Sequence, residues 1–177
     1  MIKKLENKKR VDELSPKNTL KEIGLKKSHH FADIGAGTGI FTFAANEITD
    51  GNIYSVDTSD DARSILTKRK QELNAKNINI IDDISKIEDK VCDFALICTV
   101  LHEVDDINKM LKQIKRILKS DGTLAIIEFH KNKTPIGPPE NHRLSKAEIQ
   151  AFLKENDFKY EKTKNLGENF YLITAKN

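Results

Sequence analysis

The segment Phe31 to Gly39 carries three glycines, Gly35, Gly37 and Gly39, separated by Ala36 and Thr38, with a carboxylate, Asp33, two positions ahead of the first. Residues without Cβ accept positive φ and let the backbone approach a ligand closely. Dinucleotide-binding turns use the spacing GxGxxG, whose third glycine follows the first by five positions and whose pyrophosphate rests on a helix N-terminus. Here the third glycine comes one position early, as GxGxG. Asp33 would repel a pyrophosphate and attract a cation, so the pattern favours a positively charged ligand. Further acids recur downstream: Asp57, 22 residues after Gly35, ends a second apolar segment, and Asp82 and Asp83 end a third. In open α/β sheets ligands bind outside the carboxyl ends of the strands, so acids at successive strand ends converge on one site.

Other reactive side chains lie further on. His102 and Glu103 close the run Thr99-Val100-Leu101-His102-Glu103, and Glu128 and His130 flank Phe129. Strand alternation puts Glu128 and His130 on one side, where either would border a substrate. His102 and His130 titrate near neutrality, so each is a candidate proton acceptor or a loop histidine bonded to backbone. Arg143 would pair with a substrate anion or cap the last helix. His102, Glu103, Asp105 and Asp106 lack the second histidine of HExxH, and Asp105 or Asp106 suits a helix N-cap, so no metal site is expected. Cys92 and Cys98 are six apart in an apolar stretch, which fits buried core residues rather than a disulfide or a zinc knuckle.

The elements that must position these residues alternate. Strands are predicted at 30–34, 52–56, 78–81, 93–99 and 123–129, with helices near 38–47, 59–75 and 105–118 between them. That alternation denotes parallel βαβ units with helices on both faces, an α/β fold. A helix over 144–155 follows the Pro-rich loop 134–139, and two strands, 159–165 and 169–176, flank the turn Leu166-Gly167-Glu168. So short a turn joins antiparallel neighbours, and the hairpin closes the sheet edge. Ahead of the first strand, 1–14 reads as a loose amphipathic helix or frayed tail bearing Ile2, Leu5, Val11 and Leu14. Ser15-Pro16 then reads as N-cap and first residue of a helix stopped by Gly24.

The 177 residues suit one core. Residues 1–30 hold nine Lys or Arg against four Asp or Glu, which leaves about −2 on the rest of a chain of net charge +3. No aromatics interleave with that basic segment, so a solvated arm over 1–28 is expected ahead of a domain over 29–177, with no nucleic-acid partner. No apolar run approaches the roughly 18 residues of a membrane span, and the Lys-rich start lacks a signal-peptide core, so a cytoplasmic enzyme is expected. Oligomeric state is not legible.

FADIGAGTGIF resembles the first motif of class I S-adenosylmethionine-dependent methyltransferases, and VLHEVDD, RILKSDGTLAIIEF and TPIGPPENHRLS follow in register. The chain is similar to the type 11 group, which includes the ubiquinone and menaquinone biosynthesis methyltransferases. The resemblance implies a Rossmann-like fold with a mostly parallel seven-stranded sheet and S-adenosylmethionine as cofactor. It implies that Asp33 and the turn hold the methionine part, Asp57 with Thr58 the ribose, Asp82 or, by preference, Asp83 the adenine, and that Thr99 and Val100 lie beside the methionine moiety. His102, Glu103, Glu128, His130 and Arg143 would then face a small-molecule methyl acceptor. A non-catalytic S-adenosylmethionine-binding protein and an NAD(P)-dependent reductase are the alternatives; the GxGxG spacing argues against the second. The family's longer insertions between the fifth strand and the next helix are absent, which argues for a small acceptor.

Overall fold

The computed structural model describes residues 6–177, so Ile2 and Leu5 of the expected N-terminal helix lie outside the described residues. In chain order the regular elements are α1 (Lys8–Leu14), α2 (Pro16–Glu22), β1 (Phe31–Ile34), α3 (Ile40–Asn46), β2 (Ile53–Val56), α4 (Asp60–Glu72) and β3 (Ile78–Ile81). There follow β4 (Cys92–Cys98), α5 (Ile107–Ile117), β5 (Leu118–Phe129), α6 (Lys146–Glu155), β6 (Lys159–Leu166) and β7 (Phe170–Lys176). The seven strands form one sheet in the order β3-β2-β1-β4-β5-β7-β6. All pairings are parallel except those of β7, which runs antiparallel between β5 and β6. The order reverses between β1 and β4, where such sheets open a crevice at their carboxyl ends.

The strands are apolar because both faces are covered. Phe31, Phe94, Leu96, Ala125 and Ile127 point to a core shared with Leu20 of α2 and Phe41 and Ala45 of α3. The alternating Ala32, Ala95, Ile97, Leu124 and Ile126 point to the other, with Leu111 and Ile114 of α5 and Ile149 and Leu153 of α6. Asp33 shares the first face and is therefore directed at α3.

Local chemistry sets the boundaries. Asp106 caps α5 by accepting from Lys109 N at 2.8 Å. Ser145 and Glu148 form a reciprocal capping box on α6. Ser15 departs from expectation: it has φ 39° and ψ 60° and makes no side-chain cap, because it ends α1 and begins α2 at once. Instead its hydroxyl accepts from Asn18 Nδ2 at 3.0 Å. Leu118 also departs. It leaves the helix at ψ 139° and pairs with Cys92, so β5 begins five residues before Thr123, while its buried side chain preserves the apolar rhythm of α5.

The basic N-terminal segment is not peripheral among the described residues. Leu14 and Leu20 are fully buried in the core that also holds Phe31 and Phe170. Glu13 receives three bonds from Asn169 in the β6–β7 turn, from its amide at 2.8 and 2.9 Å and from its backbone N–H at 3.1 Å. Gly167 has φ 65°, and a Cβ there would lie 2.5 Å from Glu13, so the tight turn and α1 are fitted to one another.

Candidate functional site

β1 ends at Ile34, and the chain turns away through Gly35, Gly37 and Gly39 at φ 71°, 56° and 84°. A Cβ on Gly35 would approach Val100 Cγ2 to 2.5 Å, so glycine is required there by conformation and by space. The amides of Gly35 and Ala36 both donate to Val56 O, at 2.8 and 3.0 Å, which fixes the turn against the end of β2. Gly39 does a different job from the one expected. It is the residue from which α3 departs, and a Cβ there would strike Leu66 and Phe43, so it serves packing and does not line the cavity.

Between the turn and the ends of β2, β3 and β4 lies a cavity of about 570 Å³, within the range of small-molecule sites, roughly 300–1,000 Å³. The structure brings together on its wall nearly all the acids expected from sequence: Asp33, Asp57, Asp82 and Asp83, with Gly35, Ala36, Gly37, Thr38, Thr58, Thr99, Val100 and Glu103. Asp33 is 2 % exposed. Ser55 and Thr42 form a buried relay to it: Thr42 Oγ1 donates to Asp33 Oδ2 at 2.7 Å and lies 2.8 Å from Ser55 Oγ. Burial pushes the Asp33 carboxyl up to about 6; the bond from Thr42 opposes this rise and the charge on Asp57 adds to it.

Asp57 accepts from Gly37 N at 2.8 Å and from Ser59 N at 2.9 Å. Each oxygen keeps a further lone pair, so the carboxylate ties the glycine turn to β2 and can still accept from a ligand. Asp83 accepts from Ser85 N at 2.7 Å and caps the short turn Ile84–Lys86; that bond holds its carboxyl below the ordinary range. Asp82 pairs with Lys86 at 2.5 Å. Thr99, at φ 55°, turns the chain out of β4 and receives a bond from Arg10 at 3.0 Å.

His102 and Glu128 form a buried pair that sequence separated by 26 residues. His102 Nδ1 lies 2.8 and 3.0 Å from the Glu128 oxygens, and the His102 backbone N–H donates to the same carboxylate at 3.2 Å. Glu128 is fully buried, so it holds His102 instead of meeting a substrate directly. Burial pulls the His102 pKa down, but the bond to Glu128 and its charge outweigh this, and the net shift is upward. The other nitrogen, Nε2, lies 3.7 Å from Glu103, which is on the cavity wall.

His102 itself, its side chain 5 % exposed, is not on the cavity wall, which its Nε2 approaches at Glu103. Two further expectations, beside those for Gly39 and Glu128, are corrected. Arg143 neither faces the cavity nor caps α6: its guanidinium is spent on the carbonyls of His130, Asn132 and Pro138 and on Thr134 Oγ1, at 2.7 to 2.9 Å, and so it staples the Pro-rich loop. His130 shares the Glu128 side of β5 as expected, yet its ring packs 5.5 Å from Tyr171 and is not on the cavity wall. Sequence reasoning missed Arg10, which is 7 % exposed and reaches the cavity from α1. One signal was present: Arg10 lies four residues before the buried Leu14, on the same helix face. Cys98 also lines the cavity, its thiol pushed up to about 12 by burial. Among the described residues no group of three or more His, Cys, Asp and Glu is placed to hold a metal, and no helix is long and apolar enough to cross a membrane.

Residues 32–126 match the type 11 family described as a methyltransferase domain. The ubiquinone/menaquinone biosynthesis C-methyltransferase UbiE of Pseudoalteromonas translucida is 30% identical over 146 residues, covering 77% of this chain and 54% of that protein. The chain thus spans about half the length of the curated relatives it matches. A SAM-dependent methyltransferase from Aquifex aeolicus superposes with a TM-score of 0.93 at 25% identity, over 99% of this chain and 96% of that one. The fold is shared as well with a geranyl diphosphate methyltransferase solved with SAM, TM-score 0.80 at 14% identity, over 95% of this chain and 86% of that one.

Proposed function

Since the chain belongs to the type 11 class I S-adenosylmethionine-dependent methyltransferases, we propose that it transfers the methyl group of this cofactor to a small-molecule acceptor entering beside Thr99 to Glu103. The observation that carries this reading is Asp33, a carboxylate 2 % exposed at the wall of a glycine-turn cavity. A buried carboxyl raised to about 6 is costly to keep ionised without a cation near it, and the cofactor brings two, a sulfonium and an ammonium. The cavity volume and the absent Cβ of Gly35 suit the same ligand.

When bound, the sulfonium supplies an electrophilic methyl group. The chain's own residues position it. Asp33 and the close-approaching turn hold the amino acid tail, Asp57 accepts from the ribose hydroxyls while keeping its bonds from Gly37 and Ser59, and Asp83 lies at the adenine end. In-line alignment of this kind supplies roughly 7 to 11 kcal/mol of the barrier. Where the acceptor must lose a proton, His102 Nε2 takes it: ionised Glu128 accepts from Nδ1–H, which leaves the lone pair on Nε2. Glu128 is thus a positioning residue. The short Pro-rich connection, stapled by Arg143, leaves little to cover a long lipid, which supports a small acceptor.

We place the reaction in the cytoplasm, since the free thiols Cys92 and Cys98 suit a reducing compartment. No nucleic-acid partner is proposed, because Lys9, Lys17 and Lys27 of the basic segment pair with Glu168, Glu47 and Asp50. The test is thermal unfolding with S-adenosylmethionine, S-adenosylhomocysteine or NADPH. At 100 times Kd a ligand specific for the native state stabilises it by about 2.7 kcal/mol. Both adenosyl ligands should raise Tm and NADPH should not; no shift with either at millimolar concentration overturns the reading.

A further inference from the structure

The described side chains on the cavity wall carry five carboxylates, Asp33, Asp57, Asp82, Asp83 and Glu103, and one cation, Arg10. That cation comes from α1, outside the family-matched span 32–126. It is oriented on two sides: Nη2 donates to Thr99 Oγ1 at 3.0 Å, and the guanidinium lies 5.9 Å from the centre of the Phe170 ring. Thr99 directly follows Cys98, whose thiol feels both Arg10 and Asp33. The positive and the negative group therefore face the same end of the cavity, where β1 and β4 terminate side by side.

α1 is held over that end at three points. Glu6, just ahead of it, pairs with Arg69, which also donates to Thr38 O of the glycine turn at 2.8 Å. Arg10 bonds Thr99 in its middle. Glu13, near its end, is gripped by Asn169. The helix thus runs from the glycine turn to the β6–β7 turn, across the mouth of the cavity.

We propose that Arg10 binds the carboxylate of the cofactor's amino acid tail, so that α1 is a strap whose docking and cofactor binding are coupled. The inference rests on the cofactor reading above. An α-amino acid zwitterion asks for one fixed anion and one fixed cation at the same end of a site, and Asp33 and Arg10 both line this one. The other ionised groups on the wall are acids, which would repel that carboxylate and leave Arg10 as its counterpart.

The test compares S-adenosylmethionine with decarboxylated S-adenosylmethionine by calorimetry on the wild-type protein, Arg10→Met and Arg10→Lys. Wild type should bind the intact cofactor roughly ten- to a hundredfold more tightly than the decarboxylated form, the range for a charge-assisted hydrogen bond. Arg10→Met should bind both equally, with Arg10→Lys between. In hydrogen exchange, the α1 amides of the wild type should gain protection with the intact cofactor and less with the decarboxylated one. A wild-type affinity ratio near one overturns the proposal without recourse to any variant. So does an Arg10→Met protein that keeps the full wild-type ratio, the outcome if Arg10 faces the acceptor instead. If neither ligand binds the wild-type protein, it is the cofactor reading that has failed, and this inference falls with it.

Discussion

Replacing Asp33 by Asn should make the free protein more stable and the cofactor bind more weakly, two effects of opposite sign from one substitution. The Asp33 carboxyl rises from 3.8 to about 6 on folding. At 1.36 kcal/mol per unit, holding the charge in the free protein above pH 6 costs about 3 kcal/mol. Asn keeps an oxygen to accept from Thr42 but buries an amide whose N–H groups need partners, so a gain of about 2 kcal/mol is the working figure. For a chain of this size that raises Tm by about 4 to 8 °C.

The pH dependence gives the sign a second check. A carboxyl whose pKa is raised by folding contributes stability that is fully present below its unfolded value, near 3.8, and is lost as pH rises through about 6. The advantage of Asp33→Asn should therefore be small at pH 4, grow between roughly pH 4 and 6, and stay level above. Cofactor affinity runs the other way. The ionised carboxylate is what attracts the cationic ligand, so wild-type affinity should fall about tenfold from pH 7 to pH 5, while the Asn variant binds weakly at both. Differential scanning calorimetry across that range, with titration calorimetry at pH 5 and 7, reads both quantities. A variant destabilised at pH 7.5, or one that binds S-adenosylmethionine as the wild type does, refutes the reasoning.

Two further outcomes are expected. Gly35→Ala must place a Cβ 2.5 Å from Val100 at φ 71°, which should cost about 2 to 4 kcal/mol and close the cavity to the cofactor. A Gly35→Ala, Val100→Ala double variant should recover part of the Tm in thermal unfolding; no loss of stability in Gly35→Ala contradicts the geometry. Glu128→Gln should lower the His102 pKa, followed by NMR titration of the ring, because the group that raises it is gone. The stability lost in Glu128→Gln should be greatest below about pH 6.5 and shrink as pH rises through the elevated wild-type value; a His102 titration that does not move excludes the pairing.

What sequence conveys here depends on whether a residue's role is set by neighbours along the chain or across it. The strands were legible because alternate side chains enter two cores, so Phe94, Leu96 and Cys98 read as apolar for one reason and Ala95 and Ile97 for another. Asp33, Asp57 and Asp83 were legible because strand ends in a parallel sheet share one edge. Arg10 was not, since a Lys-rich segment reads as solvated, and its burial depends on Thr99, 89 residues away, and on Phe170. The role of Arg143 was hidden for another reason: its partners are mostly backbone carbonyls, which carry no residue identity. The Thr42–Ser55 relay that tunes Asp33 was equally silent, because a threonine in a helix and a serine in a strand meet only when α3 lies over β2.

The division between matched and unmatched residues follows a physical line through the site. Residues 32–126 contain Asp33, Gly35, Gly37, Asp57 and Asp83, which line the cavity, and His102, which pairs with Glu128. Beyond that span lie Arg10, which bonds Thr99; Glu128, which holds His102; the stapled Pro-rich loop; and the Glu13–Asn169 clasp that fixes α1 to the β6–β7 turn. α1, which carries Arg10 to the cavity wall, is held in turn by the β6–β7 turn through Asn169 and Glu13. A substitution that opens the clasp should therefore weaken binding of S-adenosylmethionine more than that of its decarboxylated form in titration calorimetry, because it loosens α1 and with it Arg10, while Asp57 keeps its bonds from Gly37 and Ser59 and Asp33 its bond from Thr42; equal weakening of both ligands would refute that coupling.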